Sequence, residues 1–269
     1  MLRLSSIETS RGNALSVATV SPFGVAGPRP AVLLIHPINM RKECWLGLLP
    51  ALAAERTCVL VDLAGHGEST DDDFSIEAWV ADCVDLVQQL GLTDLHVVGG
   101  SLGGAIAIGL AVAVPDRVRS ITGLGSAVVT DPAERGNSPA PADADAVDAL
   151  FAGLARQAVA PGRPEDVVGT VRLLTNRHGA DIVTRVLRAA YTADATGWLS
   201  DVRCPALWAT GEYDVTCSMA ESERIAERLS GVHVPLPGVG HMPMIEDPGL
   251  VLEHLLPHLR ATDAAPATA

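Results

Sequence analysis

Six short runs, 31–36, 58–62, 95–99, 120–125, 205–210 and 232–236, are each about the length of a strand, and several are apolar almost throughout. A strand with one wet face alternates apolar and polar residues, so an unbroken apolar run implies a strand covered on both faces. Longer helix-period segments separate the runs. In 76–90, Ile76, Val80, Val84 and Val87 recur at spacings of four and three, and Gly91 follows as the expected cap. Strand, crossover helix and strand repeated in this way specify an α/β architecture with a mostly parallel central sheet flanked by helices. The first 30 residues alternate more weakly, as an antiparallel edge pair would.

Within that frame the pattern breaks once. Residues 131–146, DPAERGNSPAPADADA, are rich in proline, alanine and acid, and three helix-like segments follow without a strand. Their apolar stripes are Val147, Leu150, Phe151 and Leu154; Val167, Val168, Val171 and Leu174; and Ile182, Val183, Val186, Leu187 and Tyr191. The expected organisation is a core of 1–130 and 197–260 with a helical cap at 131–196. The low-complexity tail at 261–269 is expected to be frayed.

Composition narrows the function classes. Nineteen basic residues against 32 acidic ones give a net charge of −13, which argues against nucleic acid and anionic membranes as partners. The chain is 48% apolar and 19% charged, which excludes disorder. Cysteines at 44, 58, 83, 204 and 217 form no CxxC pair and no zinc-ligand spacing, so neither disulfides nor a structural metal are expected. The start of the chain lacks the apolar stretch of a signal peptide, and no run of about 18 apolar residues occurs. A cytoplasmic location and a small-molecule substrate are the expectation; oligomeric state is unreadable.

The chemistry concentrates in LHVVGGSLGGAIAIGL, where the run at 95–99 passes through Gly99-Gly100-Ser101-Leu102-Gly103 straight into a helix. This is G-x-S-x-G in its strand–turn–helix context. Glycines flank Ser101 because the sharp turn presses the backbone against neighbouring elements. The hydroxyl then stands at a helix N-terminus, whose free N–H groups favour a developing anion. A lone serine is a weak nucleophile and needs a base and an orienting acid. Asp214 follows the run at 205–210, and His241 follows the run at 232–236 between turn residues, giving the order Ser, acid, His. Glu212 and Asp131 are rival acids. Of the eight histidines only His36 and His241 sit at run ends among turn residues. An oxyanion requires two N–H donors, expected from Leu102 and from Ile38, since Pro37 carries no N–H. Asn39, Trp45 and Met242 are candidate substrate-binding residues, with core packing the plainer account of Trp45 and Met242. Arg172, Arg177, Arg185 and Arg188 in the insertion have the chemistry to hold a carboxylate, with solvated helix faces as the plainer account.

Together these segments resemble the α/β-hydrolase superfamily along nearly the whole chain. The residues carrying the resemblance are Leu34-Ile35-His36-Pro37, Val61-Asp62-Leu63-Ala64-Gly65-His66-Gly67-Glu68-Ser69, the turn around Ser101, Gly211 to Asp214, and Gly240-His241-Met242-Pro243. The stretch from Pro115 to Ser120 is similar to small esterases and lactonases, including enol-lactone hydrolases. The resemblance implies a Ser101, His241, Asp214 triad with donors from Ile38 and Leu102, working without a cofactor on a small ester or lactone. Pro37 departs from the family's usual glycine, whose backbone angles are closed to proline. Asp62 and His66 read as loop architecture. Thioester hydrolysis and carbon–carbon bond cleavage use the same triad, and a receptor on a hydrolase scaffold is the alternative from another class.

Overall fold

The computed structural model describes residues 1–22, 29–70, 73–129 and 137–263. Eight strands form one sheet: β1 (Leu2–Glu8), β2 (Ala14–Val20), β3 (Val32–Ile35), β4 (Cys58–Val61), β5 (Leu95–Gly100), β6 (Val118–Leu124), β7 (Ala206–Gly211) and β8 (Val232–Leu236). Their order is β1-β2-β4-β3-β5-β6-β7-β8. The β1–β2 and β2–β4 pairs are antiparallel and all others parallel.

Both faces of the sheet are covered, which accounts for the unbroken apolar runs. Leu33, Ile35, Val59, Val61 and Val97 join one cluster, whose helical side comes from α2 (Ile76–Gln89), α3 (Leu102–Ala113) and α7 (Met219–Arg228). Their neighbours Val32, Leu34, Cys58, Leu60 and Val98 join another, completed mainly by α1 (Leu49–Glu55), α8 (Pro243–Glu246) and α9 (Pro248–Asp263). Alternate residues of one strand thus enter opposite layers. At the end of α2, Gly91 adopts φ +61°, the left-handed backbone that stops a helix with least strain.

Between β6 and β7 lie α4 (Ala144–Gln157), α5 (Glu165–Leu173) and α6 (Ala180–Thr192). Val147 and Phe151 of α4 pack with Val183 and Leu187 of α6, while Val168 and Val171 of α5 join the α8–α9 side of the core.

The end of the chain corrects one expectation. Helix α9 continues through Asp263 rather than fraying from 261. Asp263 accepts hydrogen bonds from both terminal nitrogens of Arg56, each at 3.1 Å, and lies 2.9 Å from His96 Nε2. Arg56 is fully buried, so this carboxylate ties the last turn to the body of the protein. On its other side, His96 Nδ1 meets Ser120 Oγ at 2.8 Å. Residues 264–269 of the expected tail lie outside the described residues.

Candidate active site

Ser101 occupies the turn between β5 and α3 with φ 50° and ψ −122°, backbone angles that a non-glycine residue adopts only under constraint. The constraint is visible in its neighbours. A Cβ on Gly99 would fall 2.1 Å from the Gly103 backbone, and one on Gly103 would fall 2.4 Å from the Ile35 carbonyl oxygen. Only hydrogen fits at either place. The Ser101 N–H donates to the Leu124 carbonyl at 3.0 Å, anchoring the turn to β6.

Two further loops at the same sheet edge bring up the acid and the imidazole. After β7, the backbone turns so that Asp214 Oδ1 accepts from the N–H groups of Thr216 (2.8 Å) and Cys217 (2.9 Å). Both Asp214 carboxylate oxygens lie 3.0 Å from His241 Nδ1, and His241 Nε2 lies 3.1 Å from Ser101 Oγ. Asp214 and His241 are 9% and 6% exposed, so the pair is shielded from water. With Nδ1–H donated to the carboxylate, Nε2 is left to accept the serine proton. The structure therefore brings together the three side chains that the sequence order suggests. The rival Glu212 is exposed and accepts from the Gly238 N–H at 2.9 Å. Asp131 lies outside the described residues.

Ile38 and Leu102 flank this edge. Leu102 is the first residue of α3, so its N–H has no carbonyl within the helix to bond. The Pro37 carbonyl accepts from His36 Nδ1 at 2.8 Å and from the Met40 N–H at 3.0 Å, closing a turn around Ile38. Asn39, at φ 57°, donates its N–H to His66 Nε2 at 3.0 Å, and its carbonyl accepts from the Asn176 N–H at 2.7 Å. Asn39 is thus engaged with the α5–α6 connection. Trp45 follows the core-packing account and leaves the set of candidate substrate-binding residues. It is 0% exposed among core residues such as Leu34 and Leu48, where packing leaves its ring no face toward solvent. Met242 is buried directly after His241.

His36 and His66 serve the loops. In each, Nδ1 donates to a peptide carbonyl and Nε2 accepts a peptide N–H, that of Leu63 for His36 and of Asn39 for His66. That pattern requires neutral rings. Burial lowers the pKa of His36, and burial followed by the neighbouring His36 holds His66 well below its usual value. Asp62 accepts from the Lys42 N–H (2.8 Å), from the Lys42 ammonium and from the Glu68 N–H (3.2 Å), joining the loops after β3 and β4.

One residue escaped the sequence reading. Glu246, buried in α8, accepts from the Gly240 N–H at 2.8 Å and the Met242 N–H at 3.3 Å, one on each side of His241. Its other oxygen accepts from the Ala160 N–H (2.7 Å) and from Arg163 Nε (3.3 Å). The His241 N–H itself donates to the Ala158 carbonyl at 2.7 Å. The imidazole is thus held by its backbone as well as by Asp214. An acid five residues after a histidine, in a segment rich in turn residues, was the available signal.

The fold has close counterparts among solved structures. An esterase from Thermogutta terrifontis superposes with a TM-score of 0.85 at 22% identity, covering 97% of this chain and 100% of that one. The enol-lactonase from Burkholderia xenovorans LB400 gives 0.85 at 19% identity, covering 96% and 100%. In sequence, the chain is 35% identical over 111 residues to the 2-hydroxymuconate semialdehyde hydrolase of Pseudomonas sp. strain CF600, covering 39% of each protein. Such alignments reach only about a third of the length of the curated relatives, 29% to 39%. No helix among the described residues is long and apolar enough to cross a membrane. The profile of the Alpha/beta hydrolase family matches residues 32–254, and with most of the chain inside that match the protein belongs to the family.

Proposed function

We propose that the protein is a serine hydrolase that cleaves a small carboxylic ester or lactone through an acyl-enzyme. The observation that carries this reading is His241 standing 3.1 Å from Ser101 Oγ and 3.0 Å from Asp214. Ser101 Oγ attacks the substrate carbonyl while its proton passes to His241 Nε2. The imidazolium forms beside Asp214, and the tetrahedral oxyanion takes N–H donors from Leu102 and Ile38. Collapse transfers the proton to the departing alkoxide and leaves an ester on Ser101. Water, deprotonated by His241, then attacks that ester and releases the acid. The esterase and enol-lactonase counterparts support this substrate class, as does a site built from the chain's own side chains.

The test is turnover of p-nitrophenyl esters of increasing acyl length by the full chain and by Ser101→Ala. A burst of p-nitrophenol that is lost in the variant is the expected result, and the length dependence sizes the acyl pocket. Absence of Ser101-dependent turnover on every member would overturn the ester reading, leaving thioester or carbon–carbon cleavage by the same triad, or a receptor.

A further inference from the structure

A cleft whose lining includes none of Ser101, Asp214 and His241 lies among the inserted helices. Residues of α4, α5 and the connection to α6 enclose about 630 Å³. That volume lies within the range of small-molecule sites. Leu173, with the remaining edges of Val147 and Phe151, supplies apolar surface, and Arg172 and Arg177 also line the cleft. Both arginines are exposed, and among the described residues neither has a carboxylate within 4.0 Å. Arg177 meets only a peptide carbonyl, that of Leu173, at 3.5 Å. Asp148 also lines the cleft and opposes them with one negative charge. In a chain of net charge −13, two unpaired guanidiniums beside an apolar surface describe a receptor for an anion with a hydrophobic body.

The same segment reaches the oxyanion loop. The Asn176 N–H donates to the Asn39 carbonyl at 2.7 Å, and its side-chain amide donates to the Gly65 carbonyl at 2.8 Å. Arg41, two residues beyond Asn39, donates to the Leu173 carbonyl at 3.1 Å. A ligand that orders residues 172–178 therefore acts through direct hydrogen bonds on the turn that presents Ile38.

We propose that this cleft binds a small organic carboxylate through Arg172 and Arg177, with the apolar part of the ligand on Leu173 and the edges of Val147 and Phe151, and that its occupancy is passed to the oxyanion loop through Asn176 and Asn39. The binding half stands alone; any catalytic consequence of the coupling rests on the serine hydrolase reading. The carboxylate belongs either to the distal end of the substrate or to a separate effector.

The experiment is calorimetric titration of full-length Ser101→Ala with 4-phenylbutyrate and with the neutral 4-phenylbutanamide. The acid is expected to bind at least about tenfold more tightly than the amide, and Arg172→Gln/Arg177→Gln is expected to remove that difference. A second variant guards against misfolding. Nothing lies within 4 Å of a Cβ built on Gly169, which faces the cleft from α5, so Gly169→Leu fills the cavity and should weaken both ligands. Equal binding of acid and amide, unchanged binding in either variant, or no heat up to about 10 mM ligand would overturn the proposal.

Coupling is read without turnover, as a shift of the Ile38 and Asn39 amide resonances at saturating acid. The shift should vanish in Asn176→Pro, which lacks both the N–H given to the Asn39 carbonyl and the side-chain amide given to Gly65; no shift in the parent protein overturns the coupling. The two sources separate in the active enzyme with p-nitrophenyl acetate as substrate. Competitive inhibition by 4-phenylbutyrate identifies a substrate subsite, and a changed kcat without competition identifies an effector site. Loss of all esterase activity with binding intact would condemn the catalytic reading and leave the cleft standing.

Discussion

Among the described residues, two serine–histidine–aspartate clusters face each other across the length of the parallel sheet, one toward each end. At the C-terminal edge, His241 bridges Ser101 and Asp214 at 3.1 and 3.0 Å. Toward the opposite edge, His96 bridges Ser120 and Asp263 at 2.8 and 2.9 Å. Residue types and distances match, but the surroundings do not. Ser101 is partly exposed on a constrained turn at a helix N-terminus; Ser120 is 1% exposed inside a strand. Asp214 accepts from two peptide N–H groups and faces the imidazole with both oxygens, whereas Asp263 is shared with the buried Arg56. Burial, only partly offset by the Asp263 hydrogen bond, pushes the His96 pKa down to about 4. A histidine so reluctant to take a proton is a poor base at neutral pH. Access and environment, rather than the residue set, separate a reactive cluster from a structural one.

That contrast is tested most severely by kinetics. Ser101→Ala or His241→Ala is expected to lower ester kcat by at least about 1,000-fold, while Ser120→Ala leaves it within about twofold. Equal losses in Ser101→Ala and Ser120→Ala would erase the distinction.

Stability should divide the other way. Asp263→Ala leaves the buried Arg56 guanidinium with only the longer 3.8 Å contact to Glu55 and is expected to cost about 3 kcal/mol, the low end for a broken buried pair because Asp263 retains 17% exposure. Urea denaturation measures it; a midpoint unchanged from the parent would show the last turn of α9 to be dispensable.

The pH dependence follows from His96. Its folded pKa of about 4 lies below the ordinary imidazole value of 6.5, so between these values the unfolded chain binds more protons. Its contribution is complete above about pH 6.5 and is lost as pH falls toward 4. From pH 7 to 5 this amounts to about 2 kcal/mol. His36 and His66, also lowered, act in the same direction. His96→Gln should flatten the fall in denaturation free energy over that interval, whatever its effect at pH 7; an unchanged slope would refute the linkage.

The smallest effect belongs to Glu246. Glu246→Gln keeps the shape but loses the charge that receives the Gly240, Met242 and Ala160 N–H groups. It should lower kcat about tenfold with little change in KM. Ester turnover under saturating substrate checks this, and a change confined to KM would place Glu246 outside the alignment of His241.

What the sequence revealed and what it concealed follow the same division between local and distant order. Apolar runs such as that at 95–99 announce buried strands because each residue's burial depends on the layers above and below its own strand. Ser101, Asp214 and His241 were legible because each follows a run whose end defines one sheet edge. Pairings across long separations left no such trace. The contacts of Asp263 with His96, of Glu246 with Ala160 and of Asn176 with Asn39 join residues 167, 86 and 137 positions apart. No periodicity registers them. Trp45 stayed ambiguous between pocket and core for a related reason: proximity to the Ile38 turn in sequence says nothing about which way a ring turns, and the 3-10 turn Lys42–Trp45 sends it into the core.

The hydrogen bond from the His241 N–H to the Ala158 carbonyl sets a practical border for protein engineering. Exchanging the helices between β6 and β7 for those of a relative is an obvious way to alter substrate preference. A chimaera that replaces residues 158–163 rebuilds the backbone that supplies the acceptor for the His241 N–H and one donor to Glu246, and it removes the Arg163 side chain that supplies another. A transplant that stops short of Ala158 leaves the base on its native mooring, and new specificity can then be explored without rebuilding the machinery beneath it.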